Sequence, residues 1–299
     1  MVVLAGGSGG AKLARGMLDV TGADDLVVVA NTGDDLEIYG GYVSPDPDLV
    51  TFWLADRIDA RGWGIEGDTF QTMDGLRDLG VEVWFNLGDR DLAIGLERAR
   101  RLAHGERLTE AHAAISKALG VQAPVLPMAD RPVRTRILAH GRWWSFQEFM
   151  VQRQAEGPVD EVEFAGVAAA SPTPEVLAAI ADASAIVIGP SNPVISIGPI
   201  LALPGLRQAL QASPAKVVAV SPIVSGGVLK PATVPMMQWA GHPLNADGIA
   251  SYYGDVLDGL VADERTDKVP MLETDMLMAD ADGRRRLAEQ ALEFSLALR

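Results

Sequence analysis

Short, continuous apolar runs alternate with longer amphipathic segments along most of this chain. Continuous apolar runs are typical of parallel strands buried on both faces, and the amphipathic segments suit helices that cover such a sheet. The runs predict strands at 2–5, 26–30, 81–85, 185–188 and 217–220. Helices are predicted at 11–18, 48–56, 69–79, 93–104, 109–119, 174–181 and 282–298. The alternation predicts an α/β fold with a doubly wound, mostly parallel, Rossmann-like sheet, built as a single domain over residues 1–299.

The segment from about residue 125 to 165 breaks this rhythm. It holds short strand-like pieces, such as 136–138, and a cluster of aromatic side chains at Trp143, Trp144, Phe146 and Phe149. We predict a small α+β subdomain inserted on the sheet. Aromatic rings more often pack a small subdomain than stack on a ligand, and both interpretations are open at this point.

Composition excludes several classes of protein. A net charge of −15 argues against a nucleic-acid partner, which needs a basic face. The absence of cysteine excludes disulfides, thiolate zinc sites and a cysteine nucleophile. No apolar run approaches the roughly 18 residues of a membrane span, and no basic segment precedes the first strand as in a signal peptide. A cytoplasmic protein without membrane contact is therefore expected.

A glycine-rich turn follows the first predicted strand and opens a helix. It comprises Gly6, Gly7, Ser8, Gly9, Gly10 and, one residue further on, Lys12. Glycine lets the backbone approach a ligand closely, and the N–H groups of a helix N-terminus favour phosphate. The spacing matches neither the dinucleotide fingerprint nor the P-loop. We therefore favour a phosphate-binding turn of another type; the alternative is a turn that only packs helix against strand.

Two acidic loops follow, at 31–35 and 44–48. Closely spaced carboxylates repel each other unless a cation lies between them or one is protonated. Mg²⁺ prefers one or two carboxylates together with ligand phosphates, so metal-assisted phosphate chemistry is the economical interpretation, with Asp46 and Asp48 as candidate ligands. The alternative for Asp48 is the N-cap of the helix predicted to begin there.

The segment 87–91 follows the third predicted strand and contains Arg90 between two acids. A guanidinium group can bind a phosphate or carboxylate through two parallel hydrogen bonds. The alternative is a structural salt bridge to Asp89 or Asp91.

The fourth apolar run ends at a segment, 189–199, with three prolines and two glycines. Prolines remove donors and restrict φ, so we expect neither strand nor helix there. Ser191, Asn192 and Ser196 would then lie outside the carboxyl end of a strand, where open α/β sheets bind their ligands. The alternative is a purely structural loop.

Taken together and in order, these loops resemble a known family. The matching segments are 6–12, 31–35, 45–48, 87–91, 146–149, 189–199 and 221–223. They look like the 2-phospho-L-lactate transferase family of deazaflavin coenzyme F-420 biosynthesis, and the resemblance covers nearly the whole chain. Pro47 stands where family members usually carry leucine, which leaves the division of roles between Asp46 and Asp48 open.

The resemblance implies a Mg²⁺-dependent transferase. It would move 2-phospho-L-lactate, enolpyruvyl phosphate or phosphoglycerate from a guanosine diphosphate-activated donor to the deazaflavin Fo and release GMP. Asp46, Asp48 and Arg90 would be catalytic, and Asp48, Asp89 and Arg90 would face the deazaflavin. The nucleotide would be held by Gly6, Gly7, Ser8, Gly9, Gly10, Lys12, Ser191, Asn192 and Ser196.

Two further expectations complete the sequence-based picture. A homodimer is plausible because closed dimers are the commonest oligomers. The rival function is a non-enzymatic regulator of the gluconeogenesis-factor type that binds nucleotide sugars, which shares the fold and the glycine turn but needs no deazaflavin pocket.

Overall fold

The computed structural model describes residues 1–228 and 230–298. Its strands are β1 (Val2–Ala5), β2 (Val27–Ala30), β3 (Leu36–Ile38), β4 (Gly41–Val43), β5 (Val125–Pro127), β6 (Arg134–Ala139), β7 (Arg142–Ser145), β8 (Glu161–Ala165), β9 (Ile186–Ile188), β10 (Val217–Val220), β11 (Ile223–Val224), β12 (Gly227–Val228), β13 (Gly259–Ala262) and β14 (Met271–Glu273). Its α-helices are α1 (Gly7–Thr21), α2 (Pro45–Leu54), α3 (Gln71–Asp78), α4 (Asp89–Ala103), α5 (Leu108–Ala118), α6 (Phe146–Val151), α7 (Pro174–Ala181), α8 (Gly198–Leu201), α9 (Leu206–Ala212), α10 (Thr233–Trp239), α11 (Ala246–Tyr253) and α12 (Ala281–Ala297).

Seven of these strands form one parallel sheet in the order β14-β13-β10-β9-β1-β2-β5. The predicted α/β fold with a parallel sheet is confirmed. From β1 the chain first builds outward through β2 to β5, and it later crosses to β9 on the other side of β1. The switch point of the sheet therefore lies between β1 and β9, where ligands of such folds bind at the carboxyl ends of the strands.

Helices cover both faces of the sheet, which explains why its strands are apolar throughout. Val3 and Ala5 of β1 belong to the core cluster that contains the buried faces of α1, α2 and α12. Val2 and Leu4 belong to the opposite cluster, with α7, α9 and α11. Successive side chains of a strand point to opposite faces, so every position of β1 is buried.

The prediction of a strand at 81–85 is wrong. The segment forms no strand and pairs with none of the described strands, and Val81 is exposed. Glu82 interrupts the apolar run, so it cannot be buried on both faces; its half-buried members pack on Met73 and Leu92 in a satellite cluster. The neighbour of β2 is β5 instead, a strand of three residues ending in proline and too short to stand out as an apolar run.

Helices α1 and α2 begin earlier than predicted, with glycine and proline as their first residues. α2 begins at Pro45 rather than 48, and proline suits the first turn, where its missing N–H has no intrahelical acceptor. α1 begins at Gly7 rather than 11, directly on the glycine turn. These earlier starts place more of the predicted site residues in helix N-terminal turns.

The expectation of neither strand nor helix after β9 is also wrong. A π-helical turn covers Pro193–Ile197 and continues into α8. Asn192 caps it, since its Oδ1 accepts hydrogen bonds from the N–H groups of Val194 (3.0 Å) and Ile195 (3.2 Å).

Among the described residues no single helix is long and apolar enough to cross a membrane; Pro193–Leu201 and Leu206–Ala212 reach that length and composition only together, with an 81° bend.

The aromatic segment forms a separate antiparallel sheet of order β7-β6-β8, followed on β7 by α6. Ser145 begins α6 with a capping box, in which it exchanges hydrogen bonds with Glu148. β5, which lies inside the predicted range 125–165, belongs to the main sheet. The division of the chain into a domain and an inserted subdomain stays a prediction.

Candidate functional site

The glycine turn after β1 and the loop after β9 lie in direct contact, because their strands are neighbours. The N–H of Gly6 donates to Ser191 Oγ at 3.3 Å. A Cβ on Gly9 would overlap the carbonyl oxygen of Pro190, and one on Gly10 would lie 2.7 Å from Ser191 Oγ. Glycine is therefore required here for close approach, and the two predicted segments form one site at the switch point.

The first turn of α1 offers N–H groups to an anion. The N–H of Gly7 already donates to Asp46 Oδ1 at 2.6 Å. The N–H groups of Ser8 and Gly9, both partly exposed, belong to the first turn, where a helix has no acceptor of its own. A phosphate beside Asp46 would satisfy them and lie at the positive end of the helix dipole.

Three cationic side chains lie close together beside this turn: Lys12, Arg284 and Lys230. Lys12 of α1 and Arg284 of α12 both lie against the ring of Trp53, at 5.8 and 5.0 Å from its centroid. The pKa of Lys12 is lowered, chiefly by burial and then by repulsion from Arg284 and Lys230. Within residues 1–228 and 230–298 none of the three has a carboxylate partner. Converging, uncompensated cations in a chain of net charge −15 are typical of an anion site.

Asn31, at the end of β2, joins two buried carboxylates. Its Nδ2 donates to Asp34 Oδ1 (3.0 Å) and to Asp46 Oδ2 (2.9 Å). Burial raises the pKa of Asp46 to about 6, and it raises the pKa of Asp34 well above the usual range, with repulsion from Asp46 adding to the effect. Of the described part of the chain, no cluster of three or more metal-ligating side chains forms a ready site. Two carboxylates held by one amide nevertheless suit a divalent cation that is completed by substrate phosphates.

Asp48 is held elsewhere. Both of its oxygens accept hydrogen bonds from the guanidinium group of Arg98, which is fully buried on α4 and also donates to the carbonyl of Tyr42 (2.9 Å). Ser44, not Asp48, is the N-cap residue of α2. Sequence reasoning missed Arg98, although it continues the buried stripe of Leu92 on α4; a charged residue on an apolar helix face was the available signal.

The acidic segment around Arg90 lies at the start of α4 rather than behind a strand of the sheet. Asp89 accepts hydrogen bonds from the N–H groups of Gln71 (3.0 Å) and Thr72 (2.9 Å), so it caps α3. Asp68 in turn accepts from the N–H of Arg90 (2.8 Å) and caps α4. The hydrogen bond from the Thr69 hydroxyl, followed by those from Thr72 and Gln71, lowers the pKa of Asp89. The exposed Arg90 side chain donates to the carbonyl of Glu66 at 2.6 Å.

We expect Asp89→Ala to release the N-terminus of α3, because its first N–H groups lose their acceptor. Hydrogen exchange at the amides of Gln71 and Thr72 should become faster, while exchange in β1 stays unchanged. Asp74→Ala is the matched control, since Asp74 lies on the exposed face of the same helix and pairs only with Arg77. Equal protection in both variants would contradict the capping role.

The aromatic cluster divides in two. Phe149 is fully buried in the core and has a packing role. Trp143 and Trp144 are half-buried and line a cavity of about 420 Å³ between the inserted sheet and the 33–37 segment. Guanidinium groups lie over both rings, Arg136 at 4.9 Å from the centroid of Trp143 and Arg142 at 4.0 Å from that of Trp144.

The fold and the site define a doubly wound α/β protein with a glycine turn and an adjoining proline-rich loop at the switch point of its sheet. The model of the family described as 2-phospho-L-lactate transferase CofD matches residues 1–291. The chain belongs to this family of transferases, which confirms the resemblance carried by its loops.

Similar proteins support this membership. A 2-phospho-L-lactate transferase of Methanosarcina mazei is 41% identical over 266 residues, covering 89% of this chain and 87% of that protein. One from Methanocaldococcus jannaschii is 36% identical over 98% and 97% of the two chains. A phosphoenolpyruvate transferase of Kitasatospora aureofaciens is 35% identical over 100% and 98%. The crystal structure of a UPF0052-family protein from Bacillus halodurans covers 97% of this chain and 98% of its own, with a TM-score of 0.63; at 18% identity it shows the fold alone.

Proposed function

We propose that this protein transfers a phospho-organic acid from a guanosine diphosphate-activated donor to the ribityl hydroxyl of the deazaflavin Fo. The hydroxyl oxygen bonds to the phosphorus that carries the organic acid. The bond from that phosphorus to the oxygen bridging to GMP breaks, and GMP leaves. The hydroxyl proton passes to a nearby carboxylate, so atoms and charges balance.

The observation that carries this proposal is a group of hydrogen-bond donors and cations at the switch point, which we call the anion cradle: the first turn of α1 with Lys12, Lys230 and Arg284. Free N–H groups of the α1 turn and the cations Lys12, Lys230 and Arg284 face the same region. A diphosphate bears the charge that such a cradle compensates. Ser191, Asn192 and Ser196 of the adjoining loop would contact the rest of the nucleotide.

Asp46 joins the cradle to the acceptor side, because it touches Gly7 N–H and shares Asn31 with Asp34. In this proposal Asp46 would orient the attacking hydroxyl. Mg²⁺, when bound, would be held by Asp46 with Asp34, and it would neutralise charge on the diphosphate. Asp48 was the other expected metal ligand, but both of its carboxylate oxygens accept hydrogen bonds from Arg98. We further propose that Arg90 contacts the deazaflavin acceptor, as expected from the sequence.

The transferred acid belongs to the class of small phosphorylated carboxylic acids. Relatives named for phospholactate and for phosphoenolpyruvate both align over most of the chain. These acids differ by a few atoms, which contacts worth about 1–3 kcal/mol can discriminate. Activity measured with donors of phospholactate, enolpyruvyl phosphate and phosphoglycerate would identify the preferred one.

The direct test combines purified protein with Fo, Mg²⁺ and each guanosine-activated acid. Formation of the Fo adduct together with stoichiometric GMP is expected, as detected by chromatography and mass spectrometry. Absence of both products with all three donors would refute the proposal. Binding of a UDP-sugar without any binding of Fo would instead favour the nucleotide-sugar regulator.

Lys12→Ala is expected to weaken GDP binding about tenfold or more, because the cradle loses a partly buried positive charge that a phosphate would compensate. Isothermal titration with GDP measures the change. Lys117→Ala is the matched control, as Lys117 is exposed on α5. Equal affinities of the two variants would place the diphosphate elsewhere.

A further inference from the structure

One indole ring contacts two of the cradle cations. Trp53 belongs to the last turn of α2 and is only 8% exposed. Lys12 Nζ lies 5.8 Å from the centroid of its ring, and the guanidinium group of Arg284 lies 5.0 Å from the same centroid. The negative face of an aromatic ring attracts cations at such distances. The ring is therefore shared by a cation of α1 and a cation of α12.

A close crossing of α1 and α12 brings Arg284 to this ring. Gly16 lies one turn after Lys12, on the same face of α1. A Cβ on Gly16 would lie 2.4 Å from the carbonyl oxygen of Arg284 and 3.2 Å from the Cβ of Ala288, so this approach requires glycine. The backbones of the two helices therefore fix Arg284 beside Lys12.

The two cations are not compensated by acids. Among the described residues neither Lys12 nor Arg284 has a carboxylate partner, and Arg284 Nε is buried without a hydrogen-bond acceptor. The carboxylates of α2 are engaged elsewhere, Asp46 at the glycine turn and Asp48 by Arg98. The aromatic ring is thus the group of α2 that both cations contact.

An aromatic ring does here what a carboxylate could not do. A carboxylate would also hold two cations, but it would neutralise the charge that an anionic ligand needs. Burial, followed by repulsion from Arg284 and Lys230, lowers the pKa of Lys12, so its ammonium group needs support to stay charged. The face of Trp53 gives that support without a net charge of its own.

We propose that Trp53 is a positioning residue for the donor diphosphate, because its ring holds Lys12 and Arg284 together at the cradle and leaves their charges free for the ligand. The inference rests on the proposed function and adds a residue outside the glycine turn. Trp53 acts through the two cations. Its loss should therefore weaken donor binding and leave acceptor binding and the transfer step unchanged.

The test measures GDP affinity by isothermal titration and the KM of each substrate. Trp53→Leu and Trp53→Met remove the ring but keep an apolar side chain in the core, and each should weaken GDP binding about tenfold. The KM for the guanosine-activated donor should rise by a similar factor, while kcat and the KM for Fo stay within about twofold. Trp53→Phe keeps an aromatic face and should recover most of the affinity.

A pH profile of GDP binding separates this role from simple packing. Binding should weaken as the pH rises through the pKa of Lys12, because the neutral amine no longer attracts phosphate. Without the indole the charged form loses support, so this alkaline limb should move to lower pH in Trp53→Leu. A ring that only fills space would change the unfolding temperature and leave the limb in place.

Arg284→Met gives a second, independent reading, because it removes a half-buried side chain rather than one from the core. GDP binding should weaken about fivefold at neutral pH, since the cradle loses one charge. The alkaline limb should move to higher pH, because a cation that repels Lys12 is gone. This variant keeps the test decisive if neither ringless Trp53 variant folds.

Trp63→Leu is the matched control. Arg61 lies over the Trp63 ring at 4.0 Å, but Trp63 is 56% exposed and this cation does not belong to the cradle. GDP affinity and its pH profile should stay unchanged in this variant. Thermal unfolding verifies that each variant is folded.

Unchanged GDP affinity and an unmoved alkaline limb in the folded Trp53 variants, or in Arg284→Met, would overturn the role of Trp53. If the unmodified protein still forms the Fo adduct, the proposed function stays intact. An unmodified protein that binds GDP but forms no adduct would refute the proposed function, and the titrations would still decide the role of Trp53. An unmodified protein that binds no GDP would refute both.

Discussion

Gly9→Ala is expected to abolish nucleotide binding at practical concentrations and to lower the free energy of unfolding by about 3 kcal/mol. The new Cβ would overlap the Pro190 carbonyl oxygen, and this neighbour is backbone rather than the end of a flexible side chain. To relieve the overlap, the 189–196 loop must move away from the turn, and Ser191 moves with it. Isothermal titration with GDP and thermal unfolding measure the two effects.

Gly75→Ala is the matched control for this prediction. Gly75 lies in α3, and a Cβ there would meet nothing within 4 Å. Alanine favours helix over glycine, so this variant should bind GDP normally and be at least as stable as the unmodified protein. A Gly9→Ala variant that binds GDP with unchanged affinity would show that the contact between the turn and the loop is not needed for the site.

Arg98→Met is expected to lower the free energy of unfolding by about 3–5 kcal/mol, measured by urea denaturation. The substitution leaves Asp48, which is 8% exposed, as a buried carboxylate without its partner. It also removes the donor to the carbonyl of Tyr42, which ties β4 to α4. The loss of stability arises mainly because the charge of Asp48 stays buried without a partner, and less from the lost attraction between the two groups.

The double variant Arg98→Met with Asp48→Leu tests this explanation, because replacing both charges with apolar groups should restore most of the stability. Arg100→Met is the surface control, since Arg100 pairs with Glu97 in solvent and its loss should not change the unfolding midpoint measurably. The double variant also separates two roles of Asp48, because stability returns while any direct action on the acceptor is lost. Failure of the double variant to recover stability would contradict the stranded-charge account.

Much of the candidate site could be predicted because its signals are local. Glycines directly after an apolar strand, and polar residues after another such strand, indicate ligand loops wherever the strands end in a parallel sheet. The structure brings 6–12 and 189–196 together, as their strands are neighbours. It also places Asp46 at the turn, through Gly7.

Other parts depended on partners distant in the sequence. The role of Asp89 is decided by α3, whose N–H groups it caps, and that of Asp48 by Arg98, fifty residues further along. The apolar character of 81–85 suggested a strand. The segment has no neighbouring strand and is not fully buried, and its apolar side chains pack in the small cluster around Met73 and Leu92. β5 was missed because three residues are too few for a period to be recognised.

By itself the sequence determined the α/β class, the position of the glycine turn and the family, since apolar runs and short loop motifs are properties of contiguous residues. The tertiary structure alone decided which carboxylates are available for chemistry. The sequence alone does not distinguish the four aspartates of the predicted loops. In the structure, the Asn31 amide joins Asp34 and Asp46, the buried guanidinium of Arg98 binds Asp48, and the N-terminus of α3 binds Asp89. A hydrogen bond or an ion pair is formed in space, and burial determines how strongly each of these contacts changes the carboxylate.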